Sequence, residues 1–310
     1  MKRKNEMFTA RNKGRLALTA VAVGVALTLA GCGSSNGGGS GDEGDGGDKG
    51  TIVVGSQAYY SNEIIAEIYS QALENAGYEV TRNFQIGQRD VYLPALESGE
   101  VQVFPEYTGN LLQYYDPETT ATKSDDVYAA LADALPDGLT VLDQSPATDQ
   151  DSYNVTKEFA EANGLESIGD LAGVDGLILG GAPELEERPY GPSGLQSVYG
   201  VTVAFQATGD TTVDSLTQGV INIANVYSAD PRIESAGLVT LADPEGLFLA
   251  SNVVPLVSSD IADEVADVLN PISAALAPEG LVELNVESVD EQKSSADIAT
   301  GWLTDNGFLE

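Results

Sequence analysis

The chain has 310 residues, with 48 Asp or Glu against 14 Lys or Arg and a net charge of −34. A field of that sign repels nucleic acid and anionic lipid headgroups, so neither is expected as a partner; the surplus either attracts cations or serves solubility, as in proteins that work in high salt. Histidine is absent and cysteine occurs once, which excludes Ser-His-Asp and Cys-His catalysis, thiolate metal clusters and an internal disulfide.

The first residues carry Lys2, Arg3, Lys4, Arg11, Lys13 and Arg15, then an uncharged stretch from Leu16 to Ala30 that runs into Gly31-Cys32. Fifteen such residues are too few for a comfortable membrane span, and small residues before the break fit a cleavage site. Residues 1–31 are expected to be a secretion signal. Leu29-Ala30-Gly31-Cys32 resembles the bacterial lipobox, whose cysteine is lipidated and becomes the new N-terminus. From Cys32 to Gly50 the chain is almost wholly Gly, Ser, Asp and Asn, which cannot pack and reads as a tether reaching roughly 20 to 25 Å. Without residues 1–31, eight Lys and Arg face forty-seven Asp and Glu, a net charge of −39. The 260 residues that follow the tether exceed what one core usually holds, so two domains are expected.

A strand over Thr51–Gly55 comes first, then a helix from about Asn62 to Gly77 with Ile64, Ile65, Ile68, Tyr69, Ala72 and Leu73 on one face, then a strand over Tyr78–Ile86. Next stands a unit that recurs 120 positions later. Leu93-Pro-Ala-Leu96-Glu-Ser-Gly99-Glu-Val101-Gln-Val103-Phe-Pro-Glu-Tyr107-Thr108 aligns without gaps on Val213-Asp-Ser-Leu216-Thr-Gln-Gly219-Val-Ile221-Asn-Ile223-Ala-Asn-Val-Tyr227-Ser228. Each copy reads as a short helix closed by a glycine, a strand of alternating apolar residues, and a tyrosine where the strand runs out. Ligands of open α/β sheets sit just beyond that end, so Tyr107 and Tyr227 either offer their rings to one shared cleft or only cover strand ends.

Between the two units, Asp143 to Asp151 is a polar crossing segment, followed by a strand over Ser152–Thr156, a helix over Lys157–Asn163 and a strand over Gly176–Gly180. A second polar segment, Leu241 to Leu247, leads to a strand over Asn252–Ser258. From Asp260 the chain is mainly helical, with Trp302 as a packing anchor in the last helix. There is no Gly-x-Ser-x-Gly elbow, phosphate-cradling loop or dinucleotide fingerprint. The Asp/Gly run at 42–48 lacks the bidentate Glu of a calcium loop, so neither metal nor cofactor is expected. Carboxylates are plentiful enough for an acid-pair glycosidase, yet nothing singles out a pair.

Several strings are similar to one family: Val54-Gly55-Ser56, Pro105-Glu106-Tyr107-Thr108-Gly109, Gly180 to Pro183 with Glu187-Arg188-Pro189, Gly194-Leu195 with Val198-Tyr199-Gly200, Tyr227-Ser228-Ala229-Asp230-Pro231-Arg232-Ile233, and Asn252-Val253-Val254-Pro255. They resemble the substrate-binding proteins of ABC transporters for glycine betaine, carnitine and choline, over residues 51 to about 305. The resemblance implies an α/β, two-lobe, type II periplasmic-binding-protein-like fold: parallel-sheet lobes joined by two crossing segments around a ligand cleft. Residues 51–142 plus 248–310 would form one lobe and 146–244 the other. It further implies a quaternary ammonium ligand in an aromatic cage. A trimethylammonium group donates no ordinary hydrogen bond, so ring faces must supply the affinity, each worth about 0.5 to 2 kcal/mol.

Residue by residue, Tyr107 and Tyr227 match cage tyrosines and Tyr59 an aromatic beside the first strand. Thr108 belongs to the expected ligand set, as does Asn62, where many relatives have a glutamine reaching the ligand's polar end. Asn110 holds a variable position that helps choose the ligand. The crossing segment departs from the family: relatives place Asn-Asp and then an aromatic or amide there, whereas this chain reads Thr148-Asp149-Gln150-Asp151. Gln150 and Asp151 are therefore expected at the ligand, Asp151 as an acidic wall that favours choline over glycine betaine; the alternative puts Asp151 in solvent. Tyr153 or Tyr190 could supply a missing ring, but neither matches a cage position, and core packing is the favoured expectation for both. Leu185 and Gly191 stand where relatives often carry a cysteine pair.

The resulting expectation is a monomeric, non-enzymatic binding protein, anchored to the cell membrane on its extracytoplasmic face through lipid on Cys32, that hands a quaternary amine to ABC permease subunits. The rivals are a binding protein of the same fold for a polyamine or amino acid, and a secreted carbohydrate-active enzyme.

Overall fold

The computed structural model describes residues 50–309. The expected signal segment, the lipid-bearing Cys32 and all of the tether except Gly50 lie outside the described residues. Among the described residues no helix is long and apolar enough to cross a membrane.

Two five-stranded sheets organise the chain. The first contains β1 (Thr51–Gly55), β2 (Glu79–Asn83), β3 (Val103–Tyr107), β4 (Leu139–Val141) and β10 (Val253–Ser258), in the order β2-β1-β3-β10-β4. The second contains β5 (Asp151–Thr156), β6 (Ile178–Gly181), β7 (Ala204–Ala207), β8 (Ile223–Tyr227) and β9 (Leu238–Thr240), in the order β7-β6-β8-β5-β9. The sheets share one plan. Three strands run parallel, and the strand that follows a crossing segment then enters antiparallel beside the central one, β10 against β3 and β5 against β8. Each lobe is therefore a mixed sheet built around a parallel core.

The helices α1 (Tyr60–Asn75), α2 (Arg89–Glu97), α3 (Thr108–Tyr115) and α4 (Ser124–Ala134) cover the first sheet together with α9 (Ala262–Ala275), α10 (Pro278–Val289) and α11 (Ser295–Asp305). The second sheet carries the shorter α5 (Lys157–Asn163), α6 (Pro192–Gly194), α7 (Thr212–Thr217) and α8 (Arg232–Ser235). All six apolar residues read onto one face of α1 are buried, as a 3.6-residue period requires. Trp302 packs at the edge of the same core, stacked on Phe308.

The repeated unit is present in both sheets. α2 ends at Glu97 and Gly99 turns with φ +76°; α7 ends at Thr217 and Gly219 turns with φ +72°. In each, the glycine N–H returns to the last helical turn, Gly99 to Leu96 O and Gly219 to Leu216 O. β3 and β8 then end on Tyr107 and Tyr227. Where strand limits differ from expectation, backbone dihedrals give the reason. Gln85 at φ +56° stops the second strand at Asn83, and Gly176 at φ +71° delays the sixth until Ile178.

Two segments cross between the sheets, and they pair with each other. Thr148 bridges Asn252 antiparallel, and Asp149 N–H donates to Ser251 O at 3.2 Å.

Candidate functional site

At the carboxyl ends of the two central strands lies a narrow pocket, partly open to solvent. Because β3 and β8 hold the same position in their sheets, Tyr107 and Tyr227 arrive from opposite lobes and both line it. Tyr59, on the loop between β1 and α1, lines it as well, and its ring lies 4.9 Å from that of Tyr227 at 49°. Tyr190 adds a fourth ring; its neighbour Tyr153 stays fully buried and donates its hydroxyl to Tyr190 O. Burial pushes the hydroxyls of Tyr59, Tyr107 and Tyr227 well above the usual phenol value, so these rings are neutral, as a cation-binding face needs.

Carboxylates face the rings. Asp151 opens β5 opposite Tyr227, is 4% exposed, and accepts from Asn110 Nδ2 at 2.8 Å. The same nitrogen reaches Tyr190 Oη at 3.1 Å, and Asn110 Oδ1 accepts from Ser251 Oγ, so Asn110 ties α3 to the second lobe across the cavity. Asp149 accepts from Tyr59 Oη at 3.1 Å and from Ala229 N–H at 3.0 Å. Burial raises both acids: Asp151 lies above the usual carboxylate range, and Asp149 is pushed up to about 7 while its two donors act the other way.

Of the two arginines on the lining, Arg89 is already matched. Its Nε and Nη2 bind Glu106 at 3.0 and 2.8 Å, and Glu106 also accepts from Tyr92 Oη and from the N–H of Tyr107 at 2.8 Å. This buried pair fixes the end of β3, and with it the Tyr107 ring. Arg188 lies beside Glu184 and Leu185 on the lining, half-buried. Gln57 is 6% exposed on the same wall, and its Nε2 has no hydrogen-bond partner among the described residues.

Five of the eight expected ligand residues come together on the lining: Tyr59, Tyr107, Asn110, Asp151 and Tyr227. Asn62, Thr108 and Gln150 do not. Asn62 is fully buried behind the wall, where Oδ1 accepts from Gln57 N–H at 2.8 Å and Nδ2 donates to Pro105 O at 2.8 Å. Thr108 Oγ1 accepts from Asn252 N–H at 3.0 Å and holds the returning crossing segment. Gln150 pairs through its backbone with Ser228. Asp149, Gln57 and Arg89 line the cavity without having been expected there, and Tyr190, for which the core was the favoured expectation, takes the alternative place on the lining. For Asp149 a signal was available, because residues two apart along an extended segment share a face: if Asp151 points inward, so does Asp149, and Gln150 points away.

Residues 50–305 match the substrate-binding domain of ABC-type glycine betaine transport systems. The chain is 30% identical over 278 residues to the glycine betaine-binding protein YehZ of Escherichia coli K12, covering 81% of this chain and 91% of that protein. It is 25% identical over 280 residues to a glycine-betaine-binding protein of Pseudomonas aeruginosa, covering 84% and 89%. The structure of apo YehZ superposes with a TM-score of 0.62 over 84% of this chain and 99% of that one, at 25% identity. A solved glycine betaine/carnitine/choline ABC transporter chain superposes with a TM-score of 0.69 at 20% identity, covering 84% of this chain and all of that one, which establishes the two-lobe type II periplasmic-binding-protein fold. With that match running from the first strand into the last helix, the chain belongs to the family of substrate-binding domains of ABC-type glycine betaine transport systems.

Proposed function

We propose that this protein captures a quaternary ammonium osmolyte outside the cell and delivers it to the permease of an ABC importer, as a monomer held to the membrane through lipid on Cys32. Residues 51–142 with 248–310 act as one lobe and 146–244 as the other, swinging about the paired crossing segments. The observation that carries this reading is the convergence of Tyr107 and Tyr227, from equivalent strand ends in two sheets, on one cavity that Tyr59 and Tyr190 also line. Four neutral rings with buried carboxylates among them suit a methylated cation, which needs π faces and negative potential but no hydrogen-bond acceptor of its own. The family match and the glycine betaine-binding relatives support the same ligand class. A carbohydrate-active enzyme has no support from the family.

Calorimetric titration with choline, glycine betaine and carnitine, against spermidine and arginine as primary-amine and guanidinium controls, tests this. Binding of at least one quaternary amine and none of the controls is expected. Tyr107→Ala and Tyr227→Ala should each weaken binding roughly 5- to 30-fold, about 1 to 2 kcal/mol, with Phe at either site doing far less harm. Binding of spermidine or arginine alone would move the protein to the rival solute class. Unchanged affinity in both alanine variants would remove the cavity from consideration.

A further inference from the structure

Asp149 sits where the crossing segments pair, and its side chain holds both lobes. Oδ2 accepts from Tyr59 Oη at 3.1 Å, on the loop that leaves the first sheet, and Oδ1 accepts from Ala229 N–H at 3.0 Å, in the turn that leaves the second. Separating the lobes about this segment must break one of those bonds. The same carboxylate fixes the Tyr59 ring against Tyr227, so the contact that joins the lobes also assembles part of the aromatic wall. The residue is 2% exposed.

The charges around it leave Asp149 uncompensated. Asp230, in the turn after β8, acts on Asp149 through its charge, which is met by Arg232 at 2.6 Å. Asp151, on the strand that continues the crossing segment, is held by Asn110. Tyr59 and Tyr60 from the start of α1, and Tyr107 from the end of β3, are neutral neighbours whose hydroxyls burial raises. Among the described residues no Lys or Arg forms an ion pair with Asp149: of the charged groups on the same lining, Arg89 is matched by Glu106, and Arg188 lies beside Glu184.

Given a quaternary ammonium occupant, as proposed above, we propose that Asp149 is a positioning residue and the counter-charge for the bound cation, so that ligand binding, assembly of the Tyr59–Tyr227 wall and loss of its proton are one linked event. An empty site keeps the carboxyl protonated more readily than water does, because burial without a cation penalises the charge. An entering trimethylammonium group supplies the missing partner and favours ionisation. The sign follows: with the carboxyl at about 7 in the empty protein, affinity rises with pH through neutrality and levels off above it.

Titration calorimetry on the intact chain, with choline and separately with glycine betaine in buffers of different ionisation enthalpy, reads both the affinity and the protons released. Choline affinity should fall about tenfold between about pH 8 and about pH 6, with a fraction of a proton released per ligand near pH 7. Asp149→Asn should flatten that profile, which a merely structural role would not do. Tyr59→Phe keeps the ring and removes a donor to the carboxylate, so the midpoint should move to higher pH; this variant decides the matter if Asp149→Asn does not fold. A flat wild-type profile, an Asp149→Asn slope equal to wild type, or an unmoved Tyr59→Phe midpoint would overturn the proposal while leaving the binding reading intact. Failure of both probes to bind at any pH would overturn the binding reading and this inference together.

Discussion

Asp151 faces two demands that one charge cannot meet equally. It lines the cavity at 4% exposure, with Asn110 Nδ2 as donor, and it lies on the same side of the crossing strand as Asp149. A bare cation such as choline is stabilised by that carboxylate, whereas the carboxylate of glycine betaine is repelled unless a donor stands between them. Gln57 Nε2, Asn225 Nδ2, Gln88 and Arg188 are donors on the lining able to meet a ligand carboxylate, whereas the Arg89 charge is matched by Glu106. Replacing Asp151 with Asn keeps the shape and the bond to Asn110 while removing the charge. Asp151→Asn is therefore expected to weaken choline relative to glycine betaine by roughly 5- to 10-fold, in line with 1 to 1.4 kcal/mol for a partly screened charge pair. Paired titrations of both ligands against wild type and variant measure the ratio. An unchanged ratio would place Asp151 outside the ligand's field.

At the scale of elements, the site depends on how tightly α3 docks on the returning crossing segment. The Gly109 N–H donates to Ser251 Oγ at 3.1 Å, and a Cβ on Gly109 would lie 2.6 Å from Ala250 O and 2.9 Å from Leu249 Cβ. A methyl group there must push backbone apart. Gly109→Ala is expected to lower unfolding stability by about 1 to 3 kcal/mol and to weaken ligand binding by shifting Asn110, the next residue along α3. Gly301 in α11 meets nothing within 4 Å, so Gly301→Ala should be neutral or stabilising by up to about 1 kcal/mol when both variants are unfolded in urea. Equal losses in both would mean that the close approach is not what sets the cost.

The same elements explain what the sequence could and could not disclose. The helix-glycine-strand-tyrosine unit was legible because a positive-φ glycine and a two-residue apolar period are local signals, and both copies fold as read. The antiparallel entry of β5 and β10 was not legible, since a strand's residues do not state which neighbour it will pair with or in which direction. Tyr190, read as core with a cage ring as the alternative, could not be decided from sequence for a related reason. Its inward aim comes from the short turns at Pro183–Glu187 and Pro192–Gly194, where no periodicity shows which side of the chain faces the cleft. Asn62 and Thr108 stand beside true lining residues in sequence, yet each turns its polar atoms to the backbone that holds those residues.

For the whole molecule, the question is what holds the two lobes in the observed relation. Asn110 bonds to Asp151 and Tyr190, Tyr59 bonds to Asp149 and touches Tyr227, and Asn285 Nδ2 donates to Ala229 O at 2.9 Å. Those few polar contacts span the cleft, whereas the hydrophobic clusters lie mainly within one lobe or the other. A rotation about the paired crossing segments therefore exposes little core, and the free-energy difference between open and closed forms should be only a few kcal/mol. A ligand touching rings from both lobes favours the closed form by its differential contacts alone. Small-angle scattering is expected to show a smaller radius of gyration at saturating ligand than in its absence, and Asn110→Ala should enlarge the radius of the empty protein, because it removes both bonds that α3 makes across the cavity. The two measurements separate causes. A radius that does not change with ligand in wild type but grows in Asn110→Ala would mean that polar contacts already close the empty protein, whereas a radius insensitive to both would mean that the lobes do not move.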